Sequence, residues 1–293
     1  AFSDGASAPR LLVAVRLADG DVRTLPADSF GDATEGRFSP DGRQLAFTVI
    51  GEGYWQLRMA SLDVGGERVL QEGTTTWQEG ADPPFLPLPL AWTPAGVLVQ
   101  EVLWGTDAPP RGVALVAPAD GAVTARVAVE HLAAYPSPDG ARVALVTGIA
   151  PIADQPRQGV VVAELPSGRL HDLAAEAPQL VKALHFSPDE RRVLYSLSAR
   201  YDSPVTTLRT MRLEGAGAQA VDFGVSGFRL ALRDIAWADD GTPLVLVSNL
   251  EAGRVELHAL PLDSFDATGL RPLGEFPRPT DEHADVRILY VPR

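Results

Sequence analysis

The chain has 293 residues, 45% of them hydrophobic, and its 38 acidic and 25 basic side chains give a formal charge of −13. The hydrophobic content is too high for wholesale disorder, and the negative charge disfavours a nucleic-acid binder. Because there is no cysteine, a disulfide framework, a thiolate zinc site and a cysteine nucleophile are excluded. The 27 glycines and 25 prolines indicate many turns and few helices.

The start of the chain and its apolar runs bear on location. No run reaches the roughly 18 apolar residues that span a bilayer, so no transmembrane segment is predicted. The chain begins Ala-Phe-Ser-Asp rather than with Met. We expect that a secretory signal has been removed and that the protein is extracytoplasmic, either periplasmic or secreted. Truncation of a longer protein is the other explanation.

One kind of hairpin recurs six times along the chain. Each copy has alternating apolar positions on both sides of a turn, usually glycine-containing, the pattern of two antiparallel strands. In chain order the copies cover residues 11–25, 56–70, 112–127, 159–173, 207–221 and 255–273.

A second hairpin recurs five times between them and carries a motif close to aromatic-Ser-Pro-Asp-Gly. Proline fixes φ for a turn, aspartate caps it, and glycine accepts a positive φ before a β-rich strand returns. Counted from their third residues, the windows are 54, 44, 50 and 51 residues apart. They are 37–42, 91–96, 135–140, 185–190 and 236–241, followed by predicted strands at 44–49, 97–102, 142–147, 192–197 and 243–248.

The chain has five motif hairpins but six alternating hairpins, and this difference predicts how the ring of sheets closes. The unpaired hairpin comes first in the chain, and a strand pattern at 286–291 stands ready to join it from the other end. Joining both ends in one sheet removes exposed strand edges. The prediction is an all-β, six-bladed β-propeller of four-stranded antiparallel blades with a split last blade. It forms a single domain over residues 1–293, with blades near 28–78, 79–129, 130–178, 179–226, 227–277, and 278–293 plus 11–27.

The motif and its spacing of about fifty residues resemble those of the TolB-like family of WD-repeat-like propellers, over roughly residues 11–291. Trp92 and Trp237 match the aromatic position, whereas Ala95 replaces the aspartate in one window and Glu190 replaces the glycine in another. The resemblance implies the propeller fold. It says little about activity, since the family includes both partner-binding subunits and enzyme-attached domains.

No catalytic, metal or cofactor motif accompanies the repeats. The five histidines are at least fourteen residues apart, which gives no zinc pattern, and Gly-x-Ser-x-Gly is absent. The glycine-rich segment 215–220 is predicted to be a turn rather than a dinucleotide site, and the Asp-Gly segments 19–21 and 239–241 are predicted to be turns rather than calcium loops. We therefore expect no cofactor and no metal. Carboxylates that could line an axial funnel are Glu35, Asp82, Glu130 and Asp234.

The connections divide into two sets that would emerge on opposite faces of a propeller. One set is short, whereas the other is longer and rich in proline and aromatic residues, at 51–54, 77–89, 104–110, 149–158 and 200–205. Binding residues concentrate on such loops. Phe85, Leu86 and Leu88 could contact a partner, but they could also pack onto their own blade. The predicted partner-binding residues are Tyr54, Phe85, Trp104, Asp107, Pro109, Pro110, Arg157 and Tyr201.

These observations leave three functional hypotheses. The leading one is a non-catalytic scaffold that docks a protein partner through the long loops, as an accessory subunit of a membrane-associated assembly. The second is a hydrolase acting on sugars or peptides, with a site in the axial funnel involving carboxylates or His131. The third is a ligand-sensing domain cut from a larger protein.

Overall fold

A computed structural model gives the fold. The chain divides into two compact units, one of Ala1–Val143 with Ala163–Leu170 and one of Ala144–Val162 with His171–Arg293. In the part that the structure describes, every regular element is a β-strand, and no helix there is long and apolar enough to cross a membrane. The described residues are 12–15, 22–25, 31–33, 36–63, 65–78, 80, 83–152, 155–165, 167–176, 180–198, 207–213, 221–224, 230–249, 252–260 and 270–277.

The first part of the chain forms one hairpin and two larger sheets. The hairpin pairs β1 with β2 antiparallel. In the first larger sheet, β3 and β4 both pair with β5, so its first strand is interrupted. The strands are β1 Leu12–Val15, β2 Val22–Leu25, β3 Gly31–Ala33, β4 Arg37–Phe38, β5 Gln44–Gly51, β6 Tyr54–Ser61, β7 Glu67–Thr74, β8 Phe85–Thr93, β9 Gly96–Leu103, β10 Gly112–Val116 and β11 Val123–Val127.

Three further four-stranded sheets follow, each with its strands side by side in chain order. The boundary between the two compact units passes through the third sheet. The strands are β12 Ala133–Pro136, β13 Arg142–Ile152, β14 Gln155–Glu164, β15 Arg169–Glu176, β16 Leu180–Phe186, β17 Arg192–Ser198, β18 Thr207–Arg212, β19 Val221–Gly224, β20 Leu230–Trp237, β21 Pro243–Asn249, β22 Arg254–Ala259 and β23 Arg271–Pro277.

This arrangement confirms both predicted hairpin series. The five motif windows connect the first strand of each sheet to the second, and the six alternating segments form β1–β2 and the third and fourth strands of the five sheets. The strand predicted at 286–291 lies outside the described residues. The split closing blade, the count of six and the single-domain boundaries therefore stay predictions.

The repeated motif forms the same hydroxyl-bridged turn in the first, third and fourth sheets. Ser39 Oγ donates to Asp41 Oδ1 at 2.6 Å and accepts from the Gln44 amide at 2.9 Å, so one hydroxyl bridges both sides of the turn. Gly42 follows at φ 69°, a conformation that glycine adopts without steric cost. Glu190 occupies the glycine position of the fourth turn at φ 56°, so this sheet retains the turn despite its departure from the motif.

Three predicted loops are shorter than expected. Only Glu52 and Gly53 separate β5 from β6, and the predicted loop at 149–158 continues β13 and β14, because pairing across each hairpin extends the strands. The predicted loop 77–89 ends at Phe85, where β8 begins. Pro87 and Pro89 fit in β8 because it is an edge strand, where a missing N–H need not leave a ladder bond unmade.

The core lies on the faces of the sheets. In the first unit, Ala46 and Leu57 of the first sheet pack with Val97, Val99 and other buried residues of the second. In the second unit, Leu194 and Leu208 of the fourth sheet pack with Ile235, Trp237 and Val245 of the fifth. Alternating apolar residues thus place whole sheets face to face, and the sheet ends are left for other roles.

Candidate functional site

Each four-stranded sheet has two ends. Because successive strands run antiparallel, their connections alternate between the ends. The turn end carries the motif turns and the connections from third to fourth strand. The loop end carries the connections from second to third strand and from one sheet to the next. The candidate site lies at the loop end of the first two sheets, which belong to the first unit.

Hydrogen bonds join these two sheets and the segments at their loop end. The Thr48 hydroxyl on β5 donates to the Pro87 carbonyl on β8, close to the loop ends of both strands. Beyond the strands, the Trp104 amide donates to the Pro84 carbonyl at 2.9 Å, and the His131 amide donates to the Pro110 carbonyl at 3.1 Å. The segments before β8, after β9 and after β11 therefore support one another.

Large apolar side chains are exposed on these segments. Trp77 is 63% exposed, Phe85 43% and Leu132 46%. Exposed apolar groups clustered on a protein surface are characteristic of interaction sites. Partly buried residues in the connection after β9 adjoin them. We call this set the loop-end patch: Trp77, Phe85, Trp104, Pro109, Pro110 and Leu132.

The surroundings of the loop-end patch are acidic. Glu52, Asp107 and Glu130 are exposed, each in a different connection at this end, and Arg111 is an exposed base among them. The excess of carboxylates matches the negative charge of the whole chain. The local field therefore favours a positively charged surface over a negative one.

His131 is a buried polar group behind the loop-end patch. Its side chain is 1% exposed, and its Nδ1 lies 2.9 Å from the Val129 carbonyl oxygen. Burial lowers the pKa of His131 below its usual value, although the bond to Val129 opposes the shift. Through this contact the buried imidazole holds the segment that ends at Leu132.

The structure brings together five of the eight predicted binding residues. Phe85 lies at the start of β8, and Trp104, Asp107, Pro109 and Pro110 follow β9. The sequence left open whether the side chains at 85–88 contact a partner or pack onto their own sheet. Leu86 is 4% exposed and packs inward, whereas Phe85 is 43% exposed and points to solvent.

The other three predicted residues are not part of the loop-end patch. Tyr54 opens β6 at the loop end, where its ring covers the Cα of Gly51. Arg157 belongs to β14, but its side chain lies outside the described residues, as does Tyr201 entirely. Sequence reasoning missed Leu132, and the signal that could have found it is an apolar residue just before a first strand.

Several of the residues that the sequence suggested for catalysis or metal binding lie outside the described residues. Glu35, Asp82, His283 and the segments 19–21 and 215–220 fall outside them, and Glu130 is exposed. The segment 239–241 forms the motif turn of the fifth sheet. Within the described ranges, no group of three or more residues suited to a metal ion is found.

On the first strands of the second unit, His185 lies near the Asp234 carboxylate. Burial lowers the pKa of His185, and the charge of Asp234 opposes that shift, although part of the side chain is open to solvent. The His185 carbonyl accepts a 3.1 Å hydrogen bond from the Trp237 indole. The Asp234 carboxylate accepts from the Ile235 amide at 2.9 Å, which orients it.

Comparisons with known proteins bear on the fold. No protein-family model matches the chain, and no curated protein matches it. Among solved structures, oligogalacturonate lyase in complex with manganese aligns with a TM-score of 0.62 at 15% identity, over 93% of this chain and 74% of the lyase. Hydrazine synthase from Kuenenia stuttgartiensis aligns at 0.58 and 9% identity, over 92% and 81%.

The β-propeller domain of the trilobed protease from Pyrococcus furiosus aligns with a TM-score of 0.56 at 13% identity, over 89% of this chain and 73% of that domain. Together with the four-stranded sheets, these alignments confirm that the chain has an all-β propeller fold, as the resemblance to TolB-like propellers implied. Identities this low concern the fold alone.

Proposed function

We propose that this protein is a non-catalytic interaction propeller that docks a protein partner through the loop-end patch. In this proposal it acts on the extracytoplasmic side as an accessory component of a membrane-associated assembly. The observation that carries the proposal is the group of exposed aromatic and apolar residues gathered at one end of two adjoining sheets.

Rigid support favours binding at this end. Backbone hydrogen bonds tie the segments of Phe85 and Leu132 to the connection after β9, and the Thr75 amide, two residues before Trp77, donates to the Gly53 carbonyl at 3.2 Å. Little conformational entropy is lost when such a surface docks, and tryptophan is the residue type most enriched at binding hot spots.

The acidic surroundings specify the partner. The carboxylates of Glu52, Asp107 and Glu130 would face a basic rim, while the apolar centre would receive apolar side chains. Such complementarity speeds association more than it strengthens the final complex. The expected partner is therefore a protein with an apolar centre ringed by lysine or arginine.

Site-specific photo-cross-linking tests the docking surface. A photoreactive residue is placed at position 77 or 132 of the full chain, and at position 38 as a control. Phe38 is 52% exposed but lies at the turn end of the first sheet. We expect one discrete cross-linked protein from positions 77 and 132, and none of it from position 38.

Affinity measurement with that cross-linked protein, once purified, completes the test. We expect Trp77→Ala to weaken binding by about tenfold, as for a hot-spot tryptophan, and Phe38→Ala to leave it unchanged. Equal cross-linking at both ends, or equal affinity of the two variants and the parent chain, would refute docking through the loop-end patch.

A second candidate is an enzyme, because His185 and Asp234 lie near each other on first strands of the second unit. Two of the similar structures belong to a lyase and a protease. Oligogalacturonate and peptides are the substrates to assay. Turnover that is lost in His185→Ala and kept in Trp77→Ala would favour this candidate over docking.

A further inference from the structure

A cleft opens on the first sheet beside its loop end. It has a volume of about 440 Å³ and lies over the loop-end halves of β6 and β7, with Gly53, Tyr54, Gln56, Arg58, Glu72 and Thr74 among its lining residues. Tyr54, Gln56 and Arg58 are alternate residues of β6, so they share one face of the sheet. Glu72 on β7 is the cross-strand partner of Gln56 and belongs to the same face.

The tyrosine forms a fixed wall of this cleft. A Cβ at Gly51 would lie 2.2 Å from Tyr54 Cε1, so the ring rests directly on the glycine backbone of β5. The adjoining turn is held by the Thr74 hydroxyl, which donates to the Gly53 carbonyl at 3.1 Å. One side of the cleft is therefore an ordered aromatic face on the β5 side, with β6 as the floor.

The positive charge in the cleft is already neutralised. Arg58 Nη1 lies 2.9 Å from Glu67 Oε2, and its Nε and Nη2 donate to Gln56 Oε1 at 3.0 and 2.7 Å. The Arg58 side chain is 11% exposed, so this guanidinium is largely closed to solvent.

The negative charge in the cleft is available. Glu72 is exposed, and in the described part of the chain its carboxylate accepts one bond, from Gln56 Nε2 to Oε2 at 3.1 Å. Its other oxygen can accept from a ligand. With Arg58 matched by Glu67, the cleft has a net negative charge on its β7 side.

We propose that this cleft binds a cationic side chain, lysine or arginine, from the docked partner. The cation would lie against the Tyr54 ring while its N–H groups donate to Glu72, which combines a cation–π contact with a charge-assisted hydrogen bond. The position beside the loop-end patch agrees with the basic rim expected of that partner. The inference deepens the proposed function and rests on it.

NMR titration of the full chain with Nα-acetyl-arginine methylamide tests the site without a partner protein. The matched neutral probe is the citrulline derivative, which has the same shape but no charge. We expect saturable shifts of the Gly53 and Gly73 amide signals with the arginine probe and none with the citrulline probe. Glu72→Gln should weaken arginine binding about tenfold, whereas Glu52→Gln, outside the cleft lining, should not.

The outcomes separate this inference from the proposed function. Equal shifts from both probes, or unchanged arginine affinity in Glu72→Gln, would overturn the cation site. Tyr54→Leu should weaken the arginine probe while Tyr54→Phe retains it, since either aromatic ring can face a cation. Because the probe is a small molecule, its binding does not depend on the loop-end patch. Failed cross-linking at position 77 counts against docking, not against this measurement.

Discussion

The third strands of the first and fifth sheets have polar rows at equivalent positions, and the two rows differ in burial. On β6 the row is Tyr54, Gln56 and Arg58, beside an open cleft. On β22 it is Arg254, Glu256 and His258, with Glu256 and His258 both 8% exposed. His258 Nε2 lies 3.0 Å from Glu256 Oε2, and Arg254 Nε donates to Glu256 Oε1 at 2.7 Å.

Each row also has a glutamate on the neighbouring fourth strand. Glu72 is the cross-strand partner of Gln56, and Glu275 is the partner of Glu256. The fifth sheet's Glu275, itself exposed, holds Arg254 at 3.0 Å, whereas the exposed Glu72 of the first sheet accepts a hydrogen bond from Gln56. The polar row on β22 is largely buried and supports packing. The equivalent row on β6 borders an open cleft and can therefore bind a ligand.

Removing the buried carboxylate of the fifth sheet should have the largest effect. Glu256→Ala leaves the His258 ring and the Arg254 guanidinium without their shared acceptor, and we expect unfolding free energy to fall by about 3 kcal/mol. Urea denaturation measures it. Glu256→Gln, which keeps an acceptor oxygen, should lose clearly less. A loss below about 1 kcal/mol in Glu256→Ala would show that the buried row is not supporting the sheet.

The partly covered arginine of the first sheet should come next. Arg58→Ala removes the ion pair with Glu67, whose side chain is 23% exposed, and we expect a loss of about 2 kcal/mol by denaturation. Arg43→Ala is the matched control, because the Arg43–Asp63 pair is 3.6 Å apart and mostly exposed, so its loss should stay below about 0.5 kcal/mol. Equal losses of unfolding free energy in the two variants would mean that burial does not make the Arg58–Glu67 pair more stabilising than the Arg43–Asp63 pair.

Burial should also distinguish two histidines as pH falls. The folded-state pKa of His131 is lowered by burial, so the unfolded state takes up protons first and stability declines below about pH 6.5. His131→Gln should make the decline between pH 7 and 5 shallower. His185→Gln should do so less, because His185 is exposed to solvent whereas His131 is buried. Denaturation curves at several pH values measure both, and an unchanged slope in His131→Gln would contradict this role.

The smallest effect on stability is expected at the exposed glutamate. Glu72→Gln should change unfolding free energy by less than about 0.5 kcal/mol, since an exposed hydrogen bond contributes little. The same variant should bind the arginine probe about tenfold more weakly in the titration described above. A stability loss as large as that of Glu256→Ala would instead give Glu72 a structural role and erase the difference between the rows.

Much of the fold could be predicted because the repeat is local. Five motif turns and six alternating hairpins have their signals within short stretches of neighbouring residues, and a turn or hairpin formed at each, even with Glu190 at a glycine position. The exception in its bounds is the segment 207–221, whose second strand, Val221–Gly224, begins only at its end. The connections predicted at 51–54 and 149–158 are shorter than predicted, because strand length depends on the pairing partner as well as on local composition.

The candidate site could be predicted only in part. Proline and tryptophan marked the connection 104–110, which does lie at the loop end. Leu132 and Glu72 have no distinguishing neighbours in sequence, and their exposure depends on residues from other strands. Even Phe85 and Leu86, adjacent in the chain, differ in burial because successive strand residues face opposite sides.

The sequence by itself determined the repeated hairpins, the turn chemistry and the absence of thiol chemistry, because these depend on residue type and short spacing. The tertiary structure decided which polar rows are covered and which apolar residues stay exposed. Arg58 and Glu72 become a neutralised cation and an available acid only when β6 pairs with β7 in this register. Exposure is a property of neighbours distant in the chain, and no local pattern specifies it.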